Sequence, residues 1–188
     1  MSRTSVQDCL PCVRGTFSDE TGMTTCKTCE SGTTTLLEGQ TVCQPCPAGT
    51  FLNTTSAVCD PCLDGTYSTG GAVGSCPVCP AGTYSQSSLE TRSSCILCGL
   101  GKFSNVTGAA DSSTCKDCQA GTFGASLALS SDTLCSSCPP GFYGEDTGAS
   151  TSEQCFACPW GRYGRMSGLS SSSQCIRCRL GTYTPVVK

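Results

Sequence analysis

Ten Cys-x-x-Cys pairs run through this 188-residue chain at an almost fixed interval. Their first members are Cys9, Cys26, Cys43, Cys59, Cys76, Cys95, Cys115, Cys135, Cys155 and Cys175, spaced 16 to 20 residues apart. A period this short and regular defines a linear array of small units. Three residues past every pair stands a glycine, from Gly15 and Gly32 through to Gly181. Two residues further on come Phe17, Phe51, Tyr67, Tyr84, Phe103, Phe123, Tyr143, Tyr163 and Tyr183, with Thr34 the exception. Nine of the twelve aromatic residues thus share one register, which surface scatter does not produce. Each ring is expected to be the main apolar plug of its unit, packed on a disulfide or on a neighbour. The glycines are expected where φ is positive or where a Cβ has no room.

A second glycine recurs five residues past the aromatic position, at Gly22, Gly39, Gly108, Gly148 and Gly168. It marks the expected tip of a short hairpin. The next cysteine follows after four residues in the early repeats and after seven in the later ones. The longer period is therefore an insertion on the return arm. No helical periodicity of apolar residues appears, so helix content should be close to zero. The expected fold is an extended rod or solenoid of small disulfide-rich modules, made of short β-hairpins and irregular loops. Residues 1–8 form a polar lead-in, 9–94 five short repeats, 95–184 five longer repeats and 185–188 a tail.

Leu, Ile, Val and Phe number only 30. That share, about 16 %, lies below the roughly 20 % at which chains usually fold on apolar burial alone. An ordinary enzyme core is excluded, and cross-links or metal must replace it. Three uses of the cysteines compete. Pairs 13 to 17 residues apart match the spacing of four-cysteine zinc sites, but zinc would join pairs two by two and impose a double period. Redox chemistry within a pair needs a βαβ scaffold that is missing here. Structural disulfides fit better. A bridge inside a pair orders nothing beyond a tight ring, whereas second-to-first bridges close loops around each hairpin. Those bridges would be Cys12–Cys26, Cys29–Cys43, Cys46–Cys59, Cys62–Cys76, Cys79–Cys95, Cys98–Cys115, Cys118–Cys135, Cys138–Cys155 and Cys158–Cys175. Each closure is worth about 3 kcal/mol in the chain-entropy model. This phase leaves Cys9 and Cys178 without partners. Truncation would put their partners in flanking repeats. A bridge from Cys178 of one chain to Cys9 of the next would instead make a covalent filament.

The charge balance is 11 basic to 14 acidic residues, with no histidine. The nearest thing to a basic stripe is Arg162, Arg165, Arg177, Arg179 and Lys188, interleaved with neutral loops, so nucleic acid is not an expected partner. No apolar run approaches the roughly 20 residues of a membrane span, so no direct membrane insertion is expected. The polar residues 1–8 carry no secretory leader, which makes a secreted chain of this kind a mature form or a segment of something longer.

The unit Cys-x-x-Cys-Pro-x-Gly-Thr-aromatic is visible in Cys43-Gln44-Pro45-Cys46-Pro47-Ala48-Gly49-Thr50-Phe51 and again from Cys76 to Tyr84. It resembles the ephrin-receptor-like cysteine-rich repeats and, more distantly, the one-disulfide modules of tumour-necrosis-factor receptors. It is also similar to the tandem runs of mastigoneme-type filament proteins. The resemblance implies extracellular modules whose disulfide closes over the Gly–aromatic segment. Both asparagines of the chain, Asn53 and Asn105, lie in Asn-x-Thr sequons, which points to a secreted glycoprotein. The Ser-rich return arms, such as Ser170 to Ser173, are either O-glycan acceptors or simply solvated loops. No cofactor is expected beyond glycans. No nucleophile–base pair, carboxylate pair or phosphate loop appears, so no enzyme is expected. The expected role is an extracellular structural glycoprotein, part of a stalk or filament, with copies of itself or other fibre glycoproteins as partners. The alternative is a ligand-binding or adhesive receptor ectodomain. Its candidate contacts are the departures from the pattern: Thr34 with Leu36 and Leu37, Leu127 with Leu129, and Trp160; the other reading of the same residues is that they simply pack between repeats.

Overall fold

A computed structural model describes residues 9–86 and 92–184. Each module runs from the second cysteine of one pair to the first cysteine of the next, and modules are numbered from Cys12 onward. Within a module the chain turns at the Cys-x-x-Gly segment, forms a two-residue strand and returns to pair through the two residues enclosed by the next Cys-x-x-Cys. Thus Thr16–Phe17 pairs with Lys27–Thr28, Lys102–Phe103 with Lys116–Asp117, and Arg162–Tyr163 with Ile176–Arg177, all antiparallel. The longest arms are Thr50–Asn53 and Val58–Pro61 in module 3.

Several local rules in the sequence produce these hairpins. All ten first glycines have φ between +73° and +88°, a region that side chains with a Cβ disfavour. The threonine after the glycine locks the turn from the other side. The hydroxyls of Thr16, Thr33, Thr50, Thr66, Thr83, Thr122 and Thr182 each donate to the carbonyl three residues back, at 2.6–2.9 Å. In the longer modules the three extra residues fold into 3-10 turns at Ser112–Thr114, Asp132–Leu134, Ser152–Gln154 and Ser172–Gln174. Asp111, Ser131 and Ser171 cap three of them by accepting an amide two residues on. Gln154 and Gln174 reach back to the amides before the turn, at 2.6 Å from Ser150 N and 2.7 Å from Ser170 N. Serines 170–173 therefore have a structural use in this turn.

Eight disulfides with Cα–Cα distances of 5.6–6.0 Å close modules 1–4 and 6–9, each from the second cysteine of a pair to the first of the next. Cys79 and Cys95 are disulfide-bonded as well. These small modules, paired by short strands and almost free of helix, make up two compact units. One extends to Val78 and takes in Ser85–Cys95; the other comprises Cys79–Tyr84 and the chain from Ile96 onward.

The core differs from the expected row of aromatic plugs. Phe17, Phe51, Tyr67, Tyr84, Phe103, Phe123 and Tyr143 are half-buried, and Tyr163 and Tyr183 are exposed. What is buried is the sulfur spine of Cys12, Cys46, Cys62, Cys79, Cys98, Cys118 and Cys138, with Ser68, Ser85, Ser104, Gly124 and Gly144 just past the aromatic position. A two-residue strand has too little surface to cover a ring on both faces. A disulfide needs less cover and sits at the centre instead.

Candidate functional site

The feature that could do work is the junction between successive modules. In the second unit the amides of Gly108, Ala128, Gly148 and Gly168 donate to the carbonyls of Cys79, Cys98, Cys118 and Cys138, one module back, at 2.7–3.0 Å. The amides of Gly82, Gly101, Gly121 and Gly141 donate forward to Ser104, Gly124, Gly144 and Gly164, at 2.7–3.0 Å. A third bond runs from Ser104, Gly124 and Gly144 to Leu129, Ala149 and Leu169, at 2.8–2.9 Å. Each junction is therefore a small backbone ladder that asks for no particular side chain beyond small residues. Modules also touch two places along. A Cβ built on Gly101 would meet the carbonyl oxygen of Gly148, and one on Gly121 that of Gly168. The glycine is thus required for its positive φ and for the space behind it.

The first unit uses the same ladder with repairs. Gly39 and Gly71 donate to the carbonyls of Cys12 and Cys46, both at 2.8 Å. Module 5 offers a side chain for the same purpose: the Arg92 guanidinium donates to the Cys62 carbonyl and pairs with Asp64 at 2.8 Å, while the Arg92 carbonyl accepts Ser68 N at 2.9 Å. Thr34, the break in the aromatic register, is 1 % exposed, and its hydroxyl donates to the Ala57 carbonyl at 2.5 Å. Thr35 beside it accepts Gly15 N at 2.9 Å. This pair is an internal joint and not a contact surface. Nothing in a single-sequence pattern flags Arg92, because its partner lies 30 residues away.

The remaining sequence candidates separate by exposure. Leu129 is buried, whereas Leu36, Leu37, Leu127 and Trp160 are exposed, Trp160 at 79 %. The loose thiols are Cys9, exposed, and Cys178, half-buried. Cys178 lines an open cavity of about 410 Å³ with Tyr163, Arg179, Thr182, Tyr183 and Thr184. Asn105 is exposed. Asn53 is half-buried, and its Nδ2 donates to Asp60 at 2.8 Å. Among the described residues no three His, Cys, Asp or Glu side chains gather as a metal site, and no helix is long and apolar enough to cross a membrane. The Lys27 ammonium, hydrogen-bonded to Asp19 at 2.9 Å, holds that carboxyl below its ordinary range.

Backbone-laddered hairpins on a spine of disulfides define a class: tandem cysteine-rich modules of the extracellular kind, in which covalent loops stand in for a core. The family model described as tyrosine-protein kinase ephrin type A/B receptor-like matches residues 1–37, 49–89 and 65–115, more than half of the chain. The chain belongs to that family of ephrin-receptor-like cysteine-rich repeats. No curated protein matches it. Disulfide density and family together point to an extracellular location.

Proposed function

We propose that this chain is a segment of an extracellular structural glycoprotein, the repeat-built shaft of a stalk or filament. The observation that supports it is the sameness of the junctions. Equivalent backbone bonds join module after module in the second unit, and only small residues are required at each joint. A stack of that kind extends by repetition and spreads load over covalent loops. The reading assigns no catalytic residue. Its partners are copies of the same chain or other fibre glycoproteins. Asn105 is the better glycan acceptor of the two sequons, since the Asn53 amide is already engaged with Asp60.

The exposed Trp160 supports a second reading, an adhesive or ligand-binding ectodomain of a cell-surface receptor, because large aromatic side chains anchor protein contacts. Negative-stain imaging and non-reducing electrophoresis of the assembly from its native source separate the two. The shaft reading expects periodic fibres. A discrete monomer held by a membrane-anchored partner would replace it with the ectodomain.

A further inference from the structure

The module-9 hairpin sets two like charges against each other. In each paired hairpin the residue before the aromatic position faces the second enclosed residue of the next Cys-x-x-Cys. That place holds Thr16 opposite Thr28, Thr83 opposite Leu97, Thr122 opposite Ser137 and Phe142 opposite Ala157. Module 6 puts Lys102 opposite Asp117, and the two form an ion pair. Module 9 puts Arg162 opposite Arg177. Directly opposed residues of an antiparallel pair share one face with their Cβ atoms about 5 Å apart, where like charges repel.

No carboxylate neutralises this pair. Lys27, Arg92 and Lys102 each have one within ion-pair distance, whereas among the described residues Arg162, Arg165, Arg177 and Arg179 have none. No Asp or Glu occurs at residues 154–188. Module 8 does send one acid to module 9: Glu145 Oε1 accepts Ser172 N at 3.3 Å, so that carboxylate serves the return-arm turn. Asp146 and Glu153 of module 8 are exposed and enter no ion pair among the described residues. Arg162 Nη1 donates to the Cys175 carbonyl at 2.8 Å, which ties the head group to the partner arm. Its other N–H groups have no protein acceptor among the described residues, and Arg165, Arg177 and Arg179 are exposed.

We infer that the Arg162–Arg177 face of module 9 binds a sulfated polysaccharide, one sulfate group sitting between the two guanidinium forks while Arg165 and Arg179 add to the local positive potential. An anion placed there relieves the repulsion that the free hairpin carries. A guanidinium offers N–H donors in a planar fork that takes two oxygens of one oxyanion, and it is more weakly hydrated than an ammonium. All four cations between residues 154 and 184 are arginine. The size of the site favours a polysaccharide over a protein. A stable protein contact covers about 800 Å² on each side, more than one face of a hairpin with two-residue strands presents. A sulfated chain needs only point contacts, and such chains belong to the extracellular side, where a disulfide-dense protein persists. The inference goes beyond the shaft reading and does not rest on it, since a matrix polysaccharide would hold a shaft or an adhesive ectodomain equally.

Isothermal titration of the chain with a heparin decasaccharide tests it, at about 50 mM and about 500 mM NaCl. Binding is expected at the lower salt and should weaken at least about tenfold at the higher, because counterions released on binding are harder to displace into concentrated salt. The same decasaccharide stripped of its sulfates, with its carboxylates kept, should not bind. Arg162→Thr with Arg177→Thr gives module 9 the residues that module 1 carries at these places. It should weaken binding at least about tenfold and leave the melting temperature unchanged or higher, since a repulsion is removed. Lys102→Thr with Asp117→Thr, the same exchange on module 6, should leave binding unchanged. Should the arginine variant not fold, amide shifts of the parent chain during the titration carry the test, and they should centre on residues 161–163 and 176–178. No binding at low salt, full binding by the folded arginine variant, equal binding of the desulfated chain, or shifts centred elsewhere would overturn the inference. So would single-stranded DNA of equal charge binding as tightly, which would leave only an unselective attraction of anions. Self-association of the parent chain that the arginine variant loses would also overturn it and give the face to a second copy.

Discussion

Glycine positions that look identical in the sequence do different work in the structure. Gly101 and Gly161 both follow a Cys pair by three residues and have φ of +73° and +74°. Behind Gly101 a Cβ would run into the Gly148 carbonyl oxygen, whereas nothing lies within 4 Å of one on Gly161. Gly161→Ala should therefore cost only the left-handed backbone strain, about 1 kcal/mol. Gly101→Ala adds a clash with backbone two modules away and should cost about 3 kcal/mol or more. Urea denaturation of the two variants checks this, and equal losses would mean that the modules do not meet at that point. The ten-fold repetition of glycine was legible from spacing alone. The second reason for it was not, because Gly148 enters the neighbourhood only through the packing. The same holds for Thr34: the sequence marks it as an exception without saying whether it faces solvent or a joint.

At the level of the element, one of the four 3-10 turns among the described residues, that of module 6, has a titratable cap. Asp111 caps Ser112–Thr114 through a 2.7 Å hydrogen bond from Ser113 N. Hydrogen bonds from the Ser113 side chain and then its backbone hold the Asp111 carboxyl below the ordinary aspartate value of 3.8. A carboxyl depressed on folding stabilises the fold above its unfolded pKa, and that contribution is lost as pH falls through the lower folded value. Asp111→Ser, the residue that modules 7 and 9 use at their caps, should keep the turn and remove that module's share of the acid-limb instability. Amide-exchange protection around residues 112–115, followed from neutral pH down to acid, measures it; an unchanged acid limb would deny Asp111 this role. The insertion on the return arm was readable as three extra residues. That they wind into a capped turn follows from the Asp, Ser and Gln residues around it, a signal present in the sequence but weak over so short a span.

For the molecule as a whole the decisive balance is between chain entropy and covalent closure. The 30 large aliphatic and Phe side chains are few, and several of them, such as Leu37 and Leu180, remain exposed. Reduction under otherwise native conditions should therefore unfold the array: each opened loop returns about 3 kcal/mol of chain entropy to the unfolded state, and the two-residue strands cannot hold together without it. Loss of amide dispersion in NMR spectra on adding a thiol reductant is the expected result, and spectra that stay dispersed would show a core of another kind. The sequence by itself determined the period, the hairpins and the near absence of helix, because Cys, Gly and Thr act on the backbone within a few residues of where they stand. Only the tertiary structure decided that most of the rings are half-buried and that Arg92 completes a joint 30 residues away. Those outcomes depend on which backbone lies behind each module, a quantity set by packing and by no local pattern of residues.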